Sequence, residues 1–396
     1  MNSASSILKE KEDTKVEFLY LSEDDMLKAG VTDVRKCIDV LGDVVCLLSD
    51  GDYLEGGPTG NAHGIMLEFP KDSPISDFPL NDSRDRRFMA MPAYLGGKFH
   101  LVGAKWYGSN ARNNARGLPR SILTLMLNDV ETGAPVTMMS ANVLSAIRTG
   151  SMPGLAAKCL ARKDAETFGV IGAGVISKAA VTAVLSVCDK IKAIKIKGST
   201  PQSKTALALA DFLTKNYPNL TSVKVCATLE ETVTGSDIVT EAVTYGKPDE
   251  WPKVESAWLK PGALVVSSSV LAFDKDFVAK NVLKVVDNIK MYETYLFDRN
   301  LAIRADPENA KKPIGCVGLN FLDMAEKGMF PKSEIHSLGS IVKGEFPGRT
   351  SDDQIIFVAF DGMPVLDVAW GFECYKSALK NGIGTKLKVW DRPYLA

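Results

Sequence analysis

The run VIGAGVISKAAV, residues 170–181, limits the folds open to this chain more than any other feature. An apolar strand-like run enters Gly-Ala-Gly and leaves as a helix-like run. Gly172 permits a tight turn, and Gly174 lets backbone N–H groups approach a pyrophosphate at the helix N-terminus. The third glycine of a full dinucleotide fingerprint is Ser177 here, so the motif is partial, and Gly-x-Gly alone also occurs in ordinary strand–helix turns. The surrounding pattern decides. TFGVI, AIKIKG, SVKVCA, DIVTEAV, ALVVSSS and VLKVVD read as short apolar strands, and VISKAAVTAVLSVC, SKTALALADFLTKNY and LEETVTGS read as helices between the first four. Strands alternating with helices make βαβ units and a parallel sheet, the doubly wound nucleotide-binding plan.

The residues ahead of this pattern read differently. Ser22-Glu23-Asp24-Asp25 is a capping-type start, and apolar residues recur at helical spacing from there to Gly51. HGIMLEFP, RFMAMPAYLGG, KFHLVGAKWYG and SILTLMLNDVETGAPVTMMS read as strands, with DVETGAP as a hairpin turn and residues 73–87 as loop. After the nucleotide pattern, the tail carries one strand, QIIFVAF, and one amphipathic helix, too little to fold alone. The expected fold is therefore α/β. A Rossmann-type doubly wound parallel sheet domain, residues 151–321, is inserted into a discontinuous mixed α+β domain made of residues 1–150 and 322–396.

Charge is balanced, 47 basic against 48 acidic residues, which gives no reason to expect nucleic acid or a membrane surface as partner. No apolar run approaches the roughly 18–20 residues of a spanning helix. The segment MNSASSILKEKEDTKVE lacks an apolar signal core and reads as a short solvated tail. The seven cysteines form no Cys-x-x-Cys pair and read as reduced thiols of a cytoplasmic protein. The three histidines are isolated, so no metal site is expected.

The strand after the glycine turn normally ends in an acid that holds the adenine ribose of NAD. Here it ends IKIKGST, with Gly198 at that place, Ser199 and Thr200 after it, and Lys197 and Lys204 nearby. No acid lies between Ile191 and Gln202. The pattern favours NADP(H), with NAD(H) as the alternative, and ordinary βα-loop residues as the plain reading. Before the nucleotide pattern, Lys105 sits in an apolar strand, Arg120 lies in GLPRS, Arg148 lies in SAIRTGS, and Arg86 and Arg87 precede FMAMPAY. Each alone is an ordinary solvated charge. Together they suit a substrate carboxylate, with Arg offering two parallel donors and Lys a point charge.

AKWYGSN, GLPRSILTLMLNDVETGAP, SAIRTGS and VIGAGV occur in this order, followed by GSDIVTEAVT, WLKPGALVV and FDGMPVLDVA. Taken together they resemble the ornithine cyclodeaminase/μ-crystallin family from about residue 85 to 370. MPAYLGG, KWYGSN and GLPRS are most similar to the branch that holds the N-(2-amino-2-carboxyethyl)-glutamate dehydrogenases. The resemblance implies a homodimer, with the discontinuous domain binding substrate and making the dimer contact. It places Lys105 on the family's substrate lysine and Arg148 on its carboxylate-binding arginine. A further family arginine falls on Arg87, with Arg84 and Arg86 as rivals, and Arg120 serves either substrate or nucleotide. The cofactor set is then Thr149, Gly172, Gly174, Val175, Ile176, Ser199, Thr200 and Val243. Asp367 matches a family acid and reads equally well as a plain helix N-terminal group.

One departure bears on the activity. The acid that contacts the substrate's distal amine in ornithine cyclodeaminases falls at Leu271 or Ala272, and the nearest acid is Asp274. The expected reaction is hydride transfer between nicotinamide and the α-carbon of an imine or N-substituted amino acid. The alternatives are a cyclodeaminase that recycles NAD and releases ammonia, and an NADPH-dependent small-ligand binding protein like μ-crystallin. A short-chain-type dehydrogenase is disfavoured, because no Tyr-x-x-x-Lys pair lies near the centre of the nucleotide domain.

Overall fold

The computed structural model describes residues 14–83, 85–244 and 246–395. Residues 1–13, most of the expected tail, and Arg84 lie outside the described residues. By internal contacts the chain divides into two units. The first comprises Met1–Asp33, Gly51–Ser145 and Met363–Ala396, and the second Val34–Asp50 and Ala146–Gly362.

In the first unit, β1 (Val16–Leu21), β2 (Tyr53–Glu55), β3 (Ile65–Glu68), β4 (Arg87–Leu95), β5 (Leu101–Ser109), β6 (Ser121–Asp129), β7 (Pro135–Ser140) and β18 (Thr385–Trp390) form one mixed sheet. Its order is β18-β1-β7-β6-β5-β4-β2, and β3 also pairs with β4. Only β1 and β7 run parallel; β4, β5 and β6 are an antiparallel meander. Side chains alternate across such strands. In β4 the odd-numbered Met89, Met91, Ala93 and Leu95 are buried, and in β5 Leu101, Gly103, Lys105 and Ser109 are buried. This face packs against α11 (Pro364–Asn381), where Val368 meets Gly103 so closely that a Cβ there would lie 2.7 Å away. Trp370, Leu366 and Phe372 of α11 are buried in the same core, and Trp370 Nε1 donates to the carbonyl of Val31 at 3.1 Å. α1 (Glu23–Lys28) starts with the expected capping box, Ser22 accepting from the Asp25 N–H while the Asp25 carboxylate accepts from the Ser22 N–H.

In the second unit, β8 (Thr167–Ile171), β9 (Ala193–Lys197), β10 (Ser222–Val225), β11 (Ile238–Glu241), β13 (Leu264–Ser267), β15 (Val282–Val286), β16 (Ile335–Ser337) and β17 (Ile355–Ala359) form an all-parallel sheet. The order is β10-β9-β8-β11-β13-β17-β15-β16. The strands β12 (Lys253–Val254) and β14 (Ala272–Phe273) make a separate pair. The helices of this unit are α2 (Val34–Asp50), α4 (Val175–Val187), α5 (Lys204–Asn216), α6 (Leu229–Val233), α7 (Lys275–Asn281), α8 (Ile289–Ala305), α9 (Val317–Glu326) and α10 (Leu338–Val342), and most of α3 (Asn142–Leu160), which starts in the first unit.

The expected class, a doubly wound parallel sheet with a mixed α+β partner, is observed. Two details differ from the sequence reading. The helical pattern from Ser22 to Gly51 is broken at Gly30, whose φ is +91°, and its second half, α2, belongs to the nucleotide-type unit. The strand QIIFVAF, read as part of the tail, is β17 and lies between β13 and β15 in the parallel sheet. Its continuous apolar run is what burial on both faces demands.

Candidate functional site

The candidate residues divide between the two units, and each group is built within its own. In the second unit, β8 ends at Ile171 and Gly172 takes a φ of +93°. A Cβ on Gly172 would lie 2.4 Å from the Ala242 carbonyl oxygen, so only glycine fits. Gly174 is the N-cap of α4, and a Cβ on it would meet nothing within 4 Å. Val175 is 74% exposed. The turn thus presents an open helix N-terminus, flanked by Gly174, Val175 and Ile176, as an anion-binding cradle. Ser177 is buried beneath it.

The neighbouring loop is pinned by an acid that sequence reading missed. Glu241, at the end of β11, is fully buried; its Oε1 accepts from the Val243 N–H at 2.7 Å and its Oε2 from Ser267 Oγ at 2.7 Å. Burial outweighs these bonds and lifts its carboxyl to about 7. Two more acids follow β15 and β17, Asp287 buried and Asp361 half-buried. Burial raises Asp287 to about 6 and Asp361 to about 7. The only signal for them was their place: ligands of open α/β sheets bind outside the carboxyl ends of the strands.

Past β9, Gly198 is buried, and a Cβ there would lie 2.7 Å from the Ser203 Cβ. An acid at this place has no room. Ser199 and Thr200 are exposed beside it, and Lys197 Nζ bonds the Gly198 carbonyl at 2.6 Å. Arg148, on α3, is 4% exposed, and its Nη1 is 3.0 Å from where a Cβ on Gly362 would lie. Thr149 follows it on the helix, half-buried. Of the two places expected for the family acid, Leu271 is fully buried and Ala272 opens β14. Asp274 is exposed and caps α7, its Oδ1 accepting from the Asp276 and Phe277 N–H groups.

In the first unit, Lys105 is 3% exposed and its Nζ lies 2.7 Å from Oδ2 of Asp367, which is wholly buried in the first turn of α11. Asp367 is therefore a buried partner of the lysine as well as a helix N-terminal group. Arg87 shares the face of Lys105 by alternation; Arg86 instead bonds the Leu80 carbonyl and Asp82 and lies over the Phe69 ring. Asp85 accepts from Ser109 Oγ at 2.6 Å and pairs with Arg87 Nε at 3.1 Å and Arg120 Nη1 at 3.4 Å. Tyr107 lies beside Arg87, and burial raises its hydroxyl pKa. Asp85 also went unnoticed in the sequence, where it is one acid in a polar loop. Among the described residues no group of three or more His, Cys, Asp or Glu side chains could hold a metal.

The ornithine cyclodeaminase/mu-crystallin family model matches residues 30–382. N-((2S)-2-amino-2-carboxyethyl)-L-glutamate dehydrogenase of Staphylococcus aureus is 26% identical over 376 residues, covering 94% of this chain and 99% of that protein. Alanine dehydrogenase of Archaeoglobus fulgidus is 27% identical over 302 residues, covering 76% and 83%. Among solved structures, Delta(1)-pyrroline-2-carboxylate reductase of Thermococcus litoralis, in complex with NADH and L-proline, superposes with a TM-score of 0.71 at 23% identity, covering 93% and 99%. An archaeal alanine dehydrogenase dimer with bound NAD gives 0.71 at 24% identity, covering 94% of this chain and all of that one. The fold, the glycine turn and this near-complete match together place the chain in the ornithine cyclodeaminase/mu-crystallin family.

Proposed function

We propose that this protein is a nicotinamide-dependent oxidoreductase that moves a hydride between the cofactor and the α-carbon of an imine or N-substituted amino acid. The observation that carries the reading is the buried Lys105–Asp367 pair in a chain whose second unit presents an open glycine cradle. Relatives named as dehydrogenases and reductases of small amino and imino acids support it.

Gly172, Gly174, Val175 and Ile176 would hold the pyrophosphate, with Thr149 and Val243 toward the nicotinamide end. Ser199 and Thr200 would hold a 2′-phosphate. The crowded Gly198 leaves no room for a ribose-binding acid, so NADP(H) is favoured over NAD(H). When bound, the cofactor supplies or accepts the hydride. Lys105 Nζ binds the substrate carboxylate or moves a proton at the reacting nitrogen, and Asp367, 2.7 Å away, orients that lysine. Arg148 holds a carboxylate. The buried Leu271, in place of a distal-amine acid, weighs against cyclisation of ornithine. Phe88, Trp106 and Ile122 expose an apolar stripe on the outer face of the first unit's sheet, which supports a homodimer.

The test is absorbance at the reduced-nicotinamide band with NADPH or NADH, a panel of keto acids plus amines, and cyclic imino acids. Oxidation of NADPH on an imine is the expected result. Proline and ammonia appearing from ornithine without net cofactor change would make the protein a cyclodeaminase. Tight NADPH binding without turnover would make it a binding protein.

A further inference from the structure

Glu241 closes β11 and is fully buried, yet several donors converge on its carboxylate. Val243 N–H and Ser267 Oγ each lie at 2.7 Å, and the backbone N–H groups of Ser269 and Val270 face it as well. An ionised carboxylate only accepts, with about four lone-pair sites, so it suits this shell; an amide, with one oxygen, fills it only in part. The same residue ties three strand ends together. Ala242 N–H donates to the Ile171 carbonyl at 3.0 Å, and the Ala242 carbonyl oxygen lies against Gly172. Ser268 N–H donates to the Glu241 carbonyl at 2.9 Å, and Ser269 Oγ donates to the Val243 carbonyl at 2.8 Å. The carboxylate thus stands behind the wall shared by the glycine turn and the loops after β11 and β13, at the carboxyl ends of three neighbouring strands.

Burial and this shell pull in opposite directions. Burial prevails and lifts the carboxyl to about 7, which poises the group between its two forms near neutral pH. The residues that face it, Val243, Ser267, Ser269 and Val270, carry no charge, and neither do Ile171 and Gly172 at the end of β8. Lys178, the cation of α4, lies over the Phe212 ring at 4.0 Å. Asp361 and Asp287 stand beyond β13, after β17 and β15. A carboxyl so poised answers to a charge placed beside it. Oxidised and reduced nicotinamide nucleotides share every phosphate and differ by one positive charge on the ring.

From this geometry we infer that Glu241 lets the nucleotide site tell the oxidised cofactor from the reduced one: ionised, it favours the cationic ring, and protonated, it favours neither. This rests on the proposed oxidoreductase reading, which sets Val243, bonded to Glu241 at 2.7 Å, toward the nicotinamide end. Glu241 acts through the loop it holds and not by touching substrate, so it is a positioning residue. Opposite unit charges about 8 Å apart, at an effective dielectric of about 20, change affinity by about tenfold or more. By linkage the cationic ring also drives the proton off Glu241. Acid conditions then favour loading with the reduced form.

Calorimetric titration of the purified protein with NADP⁺ and NADPH, at about pH 6 and about pH 8, tests this, with NAD⁺ and NADH run in parallel. Within each pair the adenosine end and its phosphates are common, so the ratio of affinities isolates the ring. The oxidised form should gain about tenfold on the reduced form between the two conditions. Glu241→Gln, with a melting curve showing it folded, should flatten that response, and Asp361→Asn should leave it in place. A second reading needs no variant. Near neutral pH, titrations in two buffers of different ionisation enthalpy should show protons released on binding NADP⁺ and not on binding NADPH. A ratio that does not move with pH would overturn the proposal. So would equal proton release by both forms, a response that survives Glu241→Gln, or one lost in Asp361→Asn instead. Binding of neither form of either nucleotide would remove the oxidoreductase reading as well, whereas binding of both forms with a flat ratio removes this inference alone.

Discussion

Lys105 and Asp367 are 262 residues apart in the chain and 2.7 Å apart in the fold. Removing one partner of such a pair strands the other charge in the interior, which costs about 3–5 kcal/mol. Lys105→Met should therefore lower stability by that order and reduce kcat/KM by about 10²–10⁴-fold. The double variant Lys105→Met/Asp367→Asn should regain most of the stability and none of the activity, as urea melts and NADPH oxidation would show. A double variant that regained activity would remove Lys105 from the mechanism. At this scale the sequence was half legible. An ionisable residue inside an apolar strand marked Lys105, but nothing local marked its partner. Asp367 read equally as a family acid and as a plain helix N-terminal group, with nothing to pair it with Lys105, and Asp85 read as one acid in a polar loop. Their roles come from long-range contacts that a linear pattern does not carry.

At the scale of elements, the glycine turn separates two kinds of glycine. Gly172→Ala forces a Cβ to 2.4 Å from the Ala242 oxygen at a φ of +93°, so both stability and nucleotide affinity should fall. Gly174→Ala meets open space and an ordinary φ of −85°, so the melting temperature should stay close to that of the unmodified protein while NADPH binding weakens about tenfold or more, because the methyl occupies the ligand's approach. Equal NADPH affinity in Gly174→Ala, measured by fluorescence titration, would move the pyrophosphate elsewhere. The loop beside the turn carries a pH dependence. Glu241 has its carboxyl raised from 4.5 to about 7 by burial. The folded state then binds more protons than the unfolded chain between those values, so this group's contribution is complete below 4.5 and is lost as pH rises toward 7. Melting temperature in that window should fall less with pH in Glu241→Gln than in the unmodified protein. The βαβ alternation was readable because its period changes cleanly from strand to helix. The break at Gly30 was not, since the apolar spacing runs on past it.

At the scale of the whole molecule, the apolar stripe of Phe88, Trp106 and Ile122 bears on assembly. Phe88 and Trp106 stack at 5.8 Å, and both keep more than a third of their surface exposed. On the proposed homodimer reading, Trp106→Glu should lower the sedimentation coefficient to that of a monomer with little change in secondary structure; an unchanged coefficient would remove this stripe from any contact between copies. The discontinuous plan was legible from the late position of the glycine turn. The assignment of β17 was not, because a lone apolar run near the end of a chain carries no mark of which sheet it joins. The same discontinuity sets an order of events during synthesis. Every segment of the second unit has been synthesised by Gly362, and its parallel sheet can close once that stretch clears the ribosome. The first unit has to wait. Its face over β4–β6 stays open until α11 arrives with Trp370 and Phe372, and β1, which lies beside β7, gains its other neighbour only from Thr385–Trp390. A nascent chain stalled before residue 363 would carry β4–β6 without the helix that covers them, an exposed sheet face for a chaperone to hold.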